Sequence, residues 1–103
     1  MKKYTLRYLD TLDSEIVAIE EYMERQFASP SLVLTPIFDQ IERHLPTSPY
    51  MYPAYQDDLR YRKMVVEKYL VLYMVNEESQ AVEIHHILHG MRNIKQILKA
   101  ENQ

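Results

Sequence analysis

The chain of 103 residues is 47% hydrophobic and 26% charged, which suits one soluble domain with a single core, expected over residues 1–103. It has no cysteine, so disulfides and thiolate metal sites are excluded. No apolar run reaches the ~18 residues that a membrane helix needs, and no secretory signal pattern opens the chain, so we expect a cytoplasmic protein without membrane contact.

The net charge of −3 is unevenly distributed along the chain. Residues 1–59 contain five Lys/Arg against ten Asp/Glu, whereas residues 60–103 contain seven against five. A nucleic-acid-binding protein usually presents a net basic surface, because neutralising phosphates supplies most of its affinity. The overall charge therefore argues against RNA or DNA as the main ligand and confines any basic surface to the second half.

The first predicted elements are a strand and a helix. Residues 3–8 alternate apolar and polar side chains, which is the pattern of a half-buried strand. Asp10 or Asp13 can then cap a helix by accepting hydrogen bonds from its first backbone N–H groups. The helix is predicted from one apolar stripe with helical spacing, formed by Leu12, Ile16, Ile19, Met23 and Phe27.

The second helix is complicated by Pro36, which has no N–H to donate within a helix. In one interpretation Thr35 caps the helix and Pro36 occupies its first position, where the missing N–H costs nothing. In the other, the helix starts at Ser31 and bends at Pro36. We prefer a short or kinked helix with an inner face of Ile37, Phe38, Ile41 and Leu45.

The rest of the chain predicts a loop, three strands and a short helix. Residues 46–58 contain three prolines, and the loop tyrosines Tyr50, Tyr52 and Tyr55 either form a binding surface or pack the loop onto the body. Three β-rich runs between residues 60 and 89 have minimal links, which favours antiparallel pairing. Gly90 is interpreted as a turn before a last helix over residues 93–99.

Strand alternation assigns the polar side chains of these runs to faces. Arg62 shares a face with Met64 and Val66, whereas Lys63 points to the other. In the last run, Val82, Ile84, His86 and Leu88 share the core-like face, so we expect His86 to be buried and hydrogen-bonded. His89 ends the strand on the other face and is the better candidate for an exposed functional role. No histidine has a convincing metal-ligand spacing, so no metal is expected.

Several segments resemble the RelE/ParE toxin superfamily. The similar segments are Tyr61-Arg62-Lys63, Tyr69-Leu70-Val71-Leu72-Tyr73-Met74-Val75 and Ile84-His85-His86-Ile87-Leu88-His89-Gly90-Met91-Arg92. Together with the preceding strand and two helices, the resemblance covers roughly residues 3–98. It implies an α+β fold of order β-α-α-β-β-β, with an antiparallel sheet, two helices on one face and a short C-terminal helix.

The resemblance also implies a function. Such proteins are toxins of bacterial type II toxin–antitoxin systems, associated with plasmid stabilisation and growth inhibition, and each is neutralised by a cognate antitoxin. The segment from Ile87 to Asn93 is more similar to the ParE branch, whose members bind DNA gyrase. We therefore expect a ParE-like gyrase-binding toxin that needs no cofactor.

Two alternatives stay open. One is a RelE-like, metal-independent endoribonuclease acting on mRNA at the ribosome. Its candidate catalytic residues are Arg62, Lys63, His89 and Arg92, since cations stabilise a phosphate and a histidine moves protons near neutral pH. However, Leu70 occupies a position where RelE-type enzymes commonly have arginine, and the C-terminal segment lacks their tyrosine. The other alternative is a non-toxic family member that only binds its partner.

Overall fold

The computed structural model describes residues 3–90 and 94–101. These residues form a four-stranded sheet with two main helices and a short C-terminal helix, in the order β1 (Thr5–Tyr8), α1 (Thr11–Arg25), α2 (Ser31–His44), β2 (Arg62–Val66), β3 (Tyr69–Asn76), β4 (Ala81–His89) and α3 (Ile94–Glu101). The predicted α+β class and the predicted element order are confirmed.

The spatial strand order is β1-β4-β3-β2. β2, β3 and β4 form the predicted antiparallel meander, because their short links reverse the chain between neighbours. β1 corrects the expectation of an antiparallel sheet, since it pairs with β4 in parallel, with Thr5 opposite Ala81. β1 and β4 are far apart in sequence, so no hairpin sets their relative direction and the parallel pairing is decided by tertiary packing.

The two faces of the sheet carry separate cores. The helix-side core lies under α1 and α2 and includes Tyr69 and Tyr73, as the alternation of β3 predicts. The opposite face carries a smaller α3-side core, formed by Tyr55, Tyr61, Leu72, Leu88, Ile94 and Leu98. Both faces of the meander are therefore covered, with two helices on one side and the short C-terminal helix on the other.

A β-bulge in β4 corrects the predicted assignment of its side chains to one face. Leu72 pairs with His86 but Tyr73 pairs with Ile84, so His85 is an extra residue without its own partner on β3. An extra residue reverses the alternation beyond it. Ile84 and Ile87 therefore both belong to the helix-side core, whereas Leu88 belongs to the α3-side core.

The C-terminal end of α1 differs from the predicted apolar stripe. The helix begins directly after Asp10, whose carboxylate makes no capping hydrogen bond, and it ends at Arg25. Phe27 is fully exposed and has a left-handed φ of 56°, so its assignment to the core stripe is wrong. The reason is that the helix stops before Phe27, and the Ala28 N–H closes the end by donating to the Met23 carbonyl at 2.9 Å.

α2 contains Pro36 within its 14 residues and starts at Ser31. The interpretation with Thr35 as the cap is therefore wrong, whereas the alternative start at Ser31, with Pro36 inside the helix, is confirmed. Pro36 cannot donate to the carbonyl of Leu32, one turn earlier. Leu32, whose carbonyl loses that donor, is 64% exposed and so lies on the solvent side of α2.

Candidate binding groove and the predicted catalytic residues

The structure places the predicted catalytic residues apart. Arg62 lies opposite Tyr73 on β3, whereas His89 lies opposite Tyr69, four residues away on the same strand. At about 3.3 Å per residue this separates them by ~13 Å along the strand direction alone. Arg62 and Lys63 are neighbours whose side chains point to opposite faces of the sheet. The fourth candidate, Arg92, lies outside the described residues.

The Arg62 side chain binds the loop that precedes β2. Its Nη1 donates a hydrogen bond of 2.6 Å to the Tyr52 carbonyl. Its guanidinium carbon lies 4.7 Å from the centre of the Tyr50 ring, a distance at which cation and ring attract each other. These contacts give Arg62 an internal partner on the helix side, where it anchors the loop.

Further hydrogen bonds fix the same loop. The buried Tyr73 hydroxyl donates to the Pro49 carbonyl at 2.7 Å. Tyr50 and Tyr4 both donate their hydroxyl to the Glu77 carboxylate. These hydrogen bonds raise the pKa of Tyr50 to about 12 and also raise the pKa of Tyr4. The loop is therefore tied to the sheet by side chains of β2 and β3 and by the Glu77 carboxylate.

The sequence left open whether the loop tyrosines form a binding surface or pack the loop onto the body, and the structure shows both. Tyr52 packs against the helix-side core, and Tyr55 is buried in the α3-side core. Tyr50 is 48% exposed although its hydroxyl is bound. Packing thus explains two of the three rings, and the third presents an aromatic surface.

The other cations near the start of β2 also have neighbours. The Lys63 ammonium lies 6.0 Å from the centre of the Tyr55 ring, at the limit of a cation–π contact. The Arg60 Nε donates to Asp58 Oδ1 at 2.9 Å, and hydrogen bonding from this guanidinium lowers the pKa of Asp58. The basic residues of this segment thus contact residues of the preceding loop, and they do not converge on one anion site.

A buried carboxylate–histidine pair joins α1 to β4. His86 is 1% exposed, and its Nδ1 lies 2.6 Å from Glu15 Oε2, which confirms the prediction of a buried, hydrogen-bonded histidine. The Ile87 N–H donates to Glu15 Oε1 at 2.9 Å, and the Thr11 hydroxyl donates to the His85 carbonyl at 2.7 Å. α1 thus satisfies the backbone edge of β4 beyond the end of β1.

The role of Glu15 was missed by sequence reasoning. Charged helix residues are mostly solvated, and Glu15 carries no distinctive local signal. The only cue was its position directly before Ile16 of the apolar stripe, which places it close to the buried face. The Ile87 N–H needs this acceptor because it lies beyond the end of β1, and the extent of the β1–β4 pairing follows from tertiary packing.

His89 lies half-buried at the centre of two adjoining clefts at the end of the sheet. The first cleft, of about 370 Å³, runs between α1 and the sheet and is lined mainly by Ala18, Ile19, Tyr22 and Ile87. The second, of about 540 Å³, lies at the β2–β3 turn and includes Val65, Lys68, Leu70 and Gly90. Both clefts share Tyr69 and His89, whose rings meet edge to face at 5.2 Å. We call the combined surface the end groove.

Gly90 directly follows β4 and closes one wall of the end groove. Its N–H donates to the Lys68 carbonyl at 2.8 Å, which ties the end of β4 to the β2–β3 turn. A Cβ at this position would lie 3.2 Å from the same carbonyl oxygen, so the close approach favours glycine. This supports the interpretation of Gly90 as a structural turn residue.

Two further searches cover the part of the chain that the structure describes. Within residues 3–90 and 94–101, no group of three histidine or carboxylate side chains is arranged to bind a metal ion. Within the same ranges, every helix is too short or too polar to cross a membrane.

The fold and the end groove are those of a small α+β domain with a preformed, largely apolar surface at one end of its sheet. The chain belongs to the ParE toxin family, described as the ParE toxin of the type II toxin-antitoxin system parDE, whose sequence profile matches residues 2–94. The predicted superfamily is confirmed, and the chain is the toxin of a module with an antitoxin partner. Comparison with curated proteins gives no match.

Proposed function

We propose that this chain inhibits bacterial growth by binding DNA gyrase, and that it does so without cleaving RNA. The supporting observation is the separation of Arg62 and Lys63 from His89 on the sheet. Cleavage of an RNA phosphodiester requires a proton-transfer group and stabilising cations within hydrogen-bonding distance of one phosphate. Along the strands, Arg62 lies ~13 Å and Lys63 ~10 Å from the level of His89, so their backbones are several times further apart than a hydrogen bond.

Charge and internal contacts support a protein target. The net charge of −3 opposes the binding of a polyanion. Arg62, the cation best placed on the helix side, already binds the Tyr52 carbonyl and the Tyr50 ring. Gyrase acts on DNA in the cytoplasm, so we propose that the toxin acts there and that its antitoxin-controlled toxicity contributes to plasmid stabilisation.

We infer that the antitoxin occupies the end groove. The groove is preformed, and aromatic rings such as Tyr22 and Tyr69 are typical of residues that dominate the energy of protein interfaces. A helix with an apolar face or an extended segment would fill such a groove, as in the common modes of peptide recognition. The adjoining cleft at the β2–β3 turn lengthens the surface that one continuous segment can contact.

The function is tested by inducing expression in bacteria and measuring cellular mRNA and plasmid supercoiling in the same cultures. We expect growth arrest and altered supercoiling with intact mRNA. His89→Gln is expected to stay toxic, like its matched control His44→Gln on α2, outside the groove. Loss of mRNA that depends on His89 would overturn the proposal in favour of the ribonuclease, and innocuous expression would favour the non-toxic alternative.

Antitoxin binding is tested with Ala18→Arg, which places a large charged side chain in the end groove. Ala18 is exposed, so the variant should fold normally. Ser14→Arg, one turn earlier on α1 and outside the groove lining, is the matched control. We expect Ala18→Arg to weaken binding to the cognate antitoxin at least tenfold and Ser14→Arg to leave it unchanged; equal affinities would exclude the groove.

A further inference from the structure

Phe27 is the most unusual exposed residue of the described chain. Its side chain is 100% exposed, and its φ is 56°. A bulky residue in the left-handed region is an outlier, and glycine is the usual residue at this point after a helix. A ring surrounded by water gains no packing that would offset the unfavourable backbone. An unfavourable backbone conformation that no packing offsets points to a role in binding another molecule. Aromatic rings are frequent anchors of protein interfaces, so this molecule is expected to be a protein.

The adjacent helix presents three separate stripes. Leu12, Ile19 and their neighbours face the helix-side core, and Ala18 and Tyr22 face the end groove on one flank. The opposite flank carries a third stripe at spacings of four, three and four residues, formed by Asp13, Val17, Glu20 and Glu24. Val17 is 47% exposed within this stripe, so an apolar side chain lies in water between carboxylates.

The third stripe is negatively charged without internal compensation. Six carboxylates occur from Asp10 to Glu24, and no Lys, Arg or His is interspersed among them. One of them, Glu15, is bound to His86, whereas Asp13, Glu20 and Glu24 form no ion pair with any residue in the described ranges. A surface that complements the stripe must therefore be basic, with an apolar contact for Val17.

We propose that Phe27 and the third stripe of α1 form the surface that contacts gyrase, at a basic surface that gyrase uses to bind DNA. This inference rests on the proposed function. A protein that binds DNA must present Lys and Arg toward the phosphates, because their neutralisation supplies most of the affinity. The carboxylates of the third stripe complement such a surface, and Phe27, three residues after Glu24, provides an exposed apolar anchor at the end of the helix.

Two consequences follow from this assignment. Toxin binding competes with DNA for the same gyrase surface, and it weakens as the salt concentration rises. In addition, the gyrase surface and the end groove lie on opposite flanks of α1. Variants can therefore separate binding to gyrase from binding to the antitoxin.

The test measures the affinity of purified toxin for purified gyrase at about 50 mM and about 200 mM salt, with and without DNA. Phe27→Gly removes the ring, and the triple variant Asp13→Asn, Glu20→Gln, Glu24→Gln removes the charges. The matched control, Asp39→Asn with Glu42→Gln and Glu78→Gln, neutralises three exposed carboxylates outside α1 instead. We expect at least tenfold weaker gyrase binding for the first two variants, a smaller salt effect for the triple variant, and wild-type affinity for the control.

Binding of the cognate antitoxin and thermal unfolding are measured for each variant. If the folded variants bind gyrase as tightly as the wild type, this surface is refuted and the proposed function stays intact. That conclusion holds whether or not DNA displaces the wild-type toxin. Wild-type toxin that does not bind gyrase would refute the proposed function and this surface together. Variants that lose the antitoxin and keep gyrase would identify the antitoxin as the occupant, which also overturns the proposal.

Discussion

Replacing Phe27 by glycine is expected to stabilise the toxin although it deletes a large apolar side chain. A residue with a Cβ loses about 1–2 kcal/mol in the left-handed region, where Phe27 has a φ of 56°. Glycine avoids that cost but loses about 0.5–1 kcal/mol through the greater freedom of the unfolded chain. Because the ring is 100% exposed, no buried apolar area is lost. The expected net gain is about 0.5–1 kcal/mol.

Thermal and urea unfolding measure this gain directly. For a domain of this size it corresponds to a rise in Tm of roughly 2–8 °C. Phe27→Ala is the matched control, since it removes the ring but retains the Cβ, and its stability should stay close to wild type. If both variants lose more than about 1 kcal/mol, the ring packs against something in the isolated protein, and the argument from an unused aromatic side chain is refuted.

Three further predictions concern contacts that position the groove and the loop. Glu15→Ala should cost about 1–3 kcal/mol because a buried N–H and His86 lose their acceptor, whereas Glu15→Gln should cost less in urea unfolding. Arg62→Lys should lower stability by about 1–2 kcal/mol yet leave growth inhibition intact. The hydrogen bond to Glu77 raises the folded-state pKa of Tyr50 from 10.0 to about 12. The stability that this hydrogen bond contributes is therefore fully present below pH 10.0 and is lost as the pH rises from 10.0 to about 12. Tyr50→Phe should make the stability less dependent on pH in this range.

Each of these predictions has a contradicting outcome. Wild-type stability of Glu15→Ala would mean that α1 is not joined to β4 by this carboxylate. Abolished toxicity of a folded Arg62→Lys variant would return Arg62 to the catalytic alternative. An unchanged alkaline profile for Tyr50→Phe, with stability measured in urea between pH 9 and about 12, would show that its hydroxyl does not donate to Glu77 in solution.

Local patterns in the sequence determined the elements of this fold. The apolar stripe that includes Leu12 and Ile19 specified α1, and the short links of the β-rich runs specified an antiparallel meander. The alternation of β3 puts Tyr69 and Tyr73 on one face, and that face packs in the helix-side core. His86 was correctly expected to be buried, and the segment from residue 61 to residue 92 pointed to the right toxin superfamily. All of these rest on neighbours within a few residues of one another.

The tertiary structure alone decided how these elements combine into a surface. A one-residue bulge at His85 reversed the side chains beyond it. Glu15 contacts His86 across a separation of 71 residues. The register placed Arg62 and His89 at distant points of the sheet, although both belong to one conspicuous segment. Sequence periodicity fixes which face a side chain prefers, but distances between strands depend on register and on long-range packing, which no local pattern encodes.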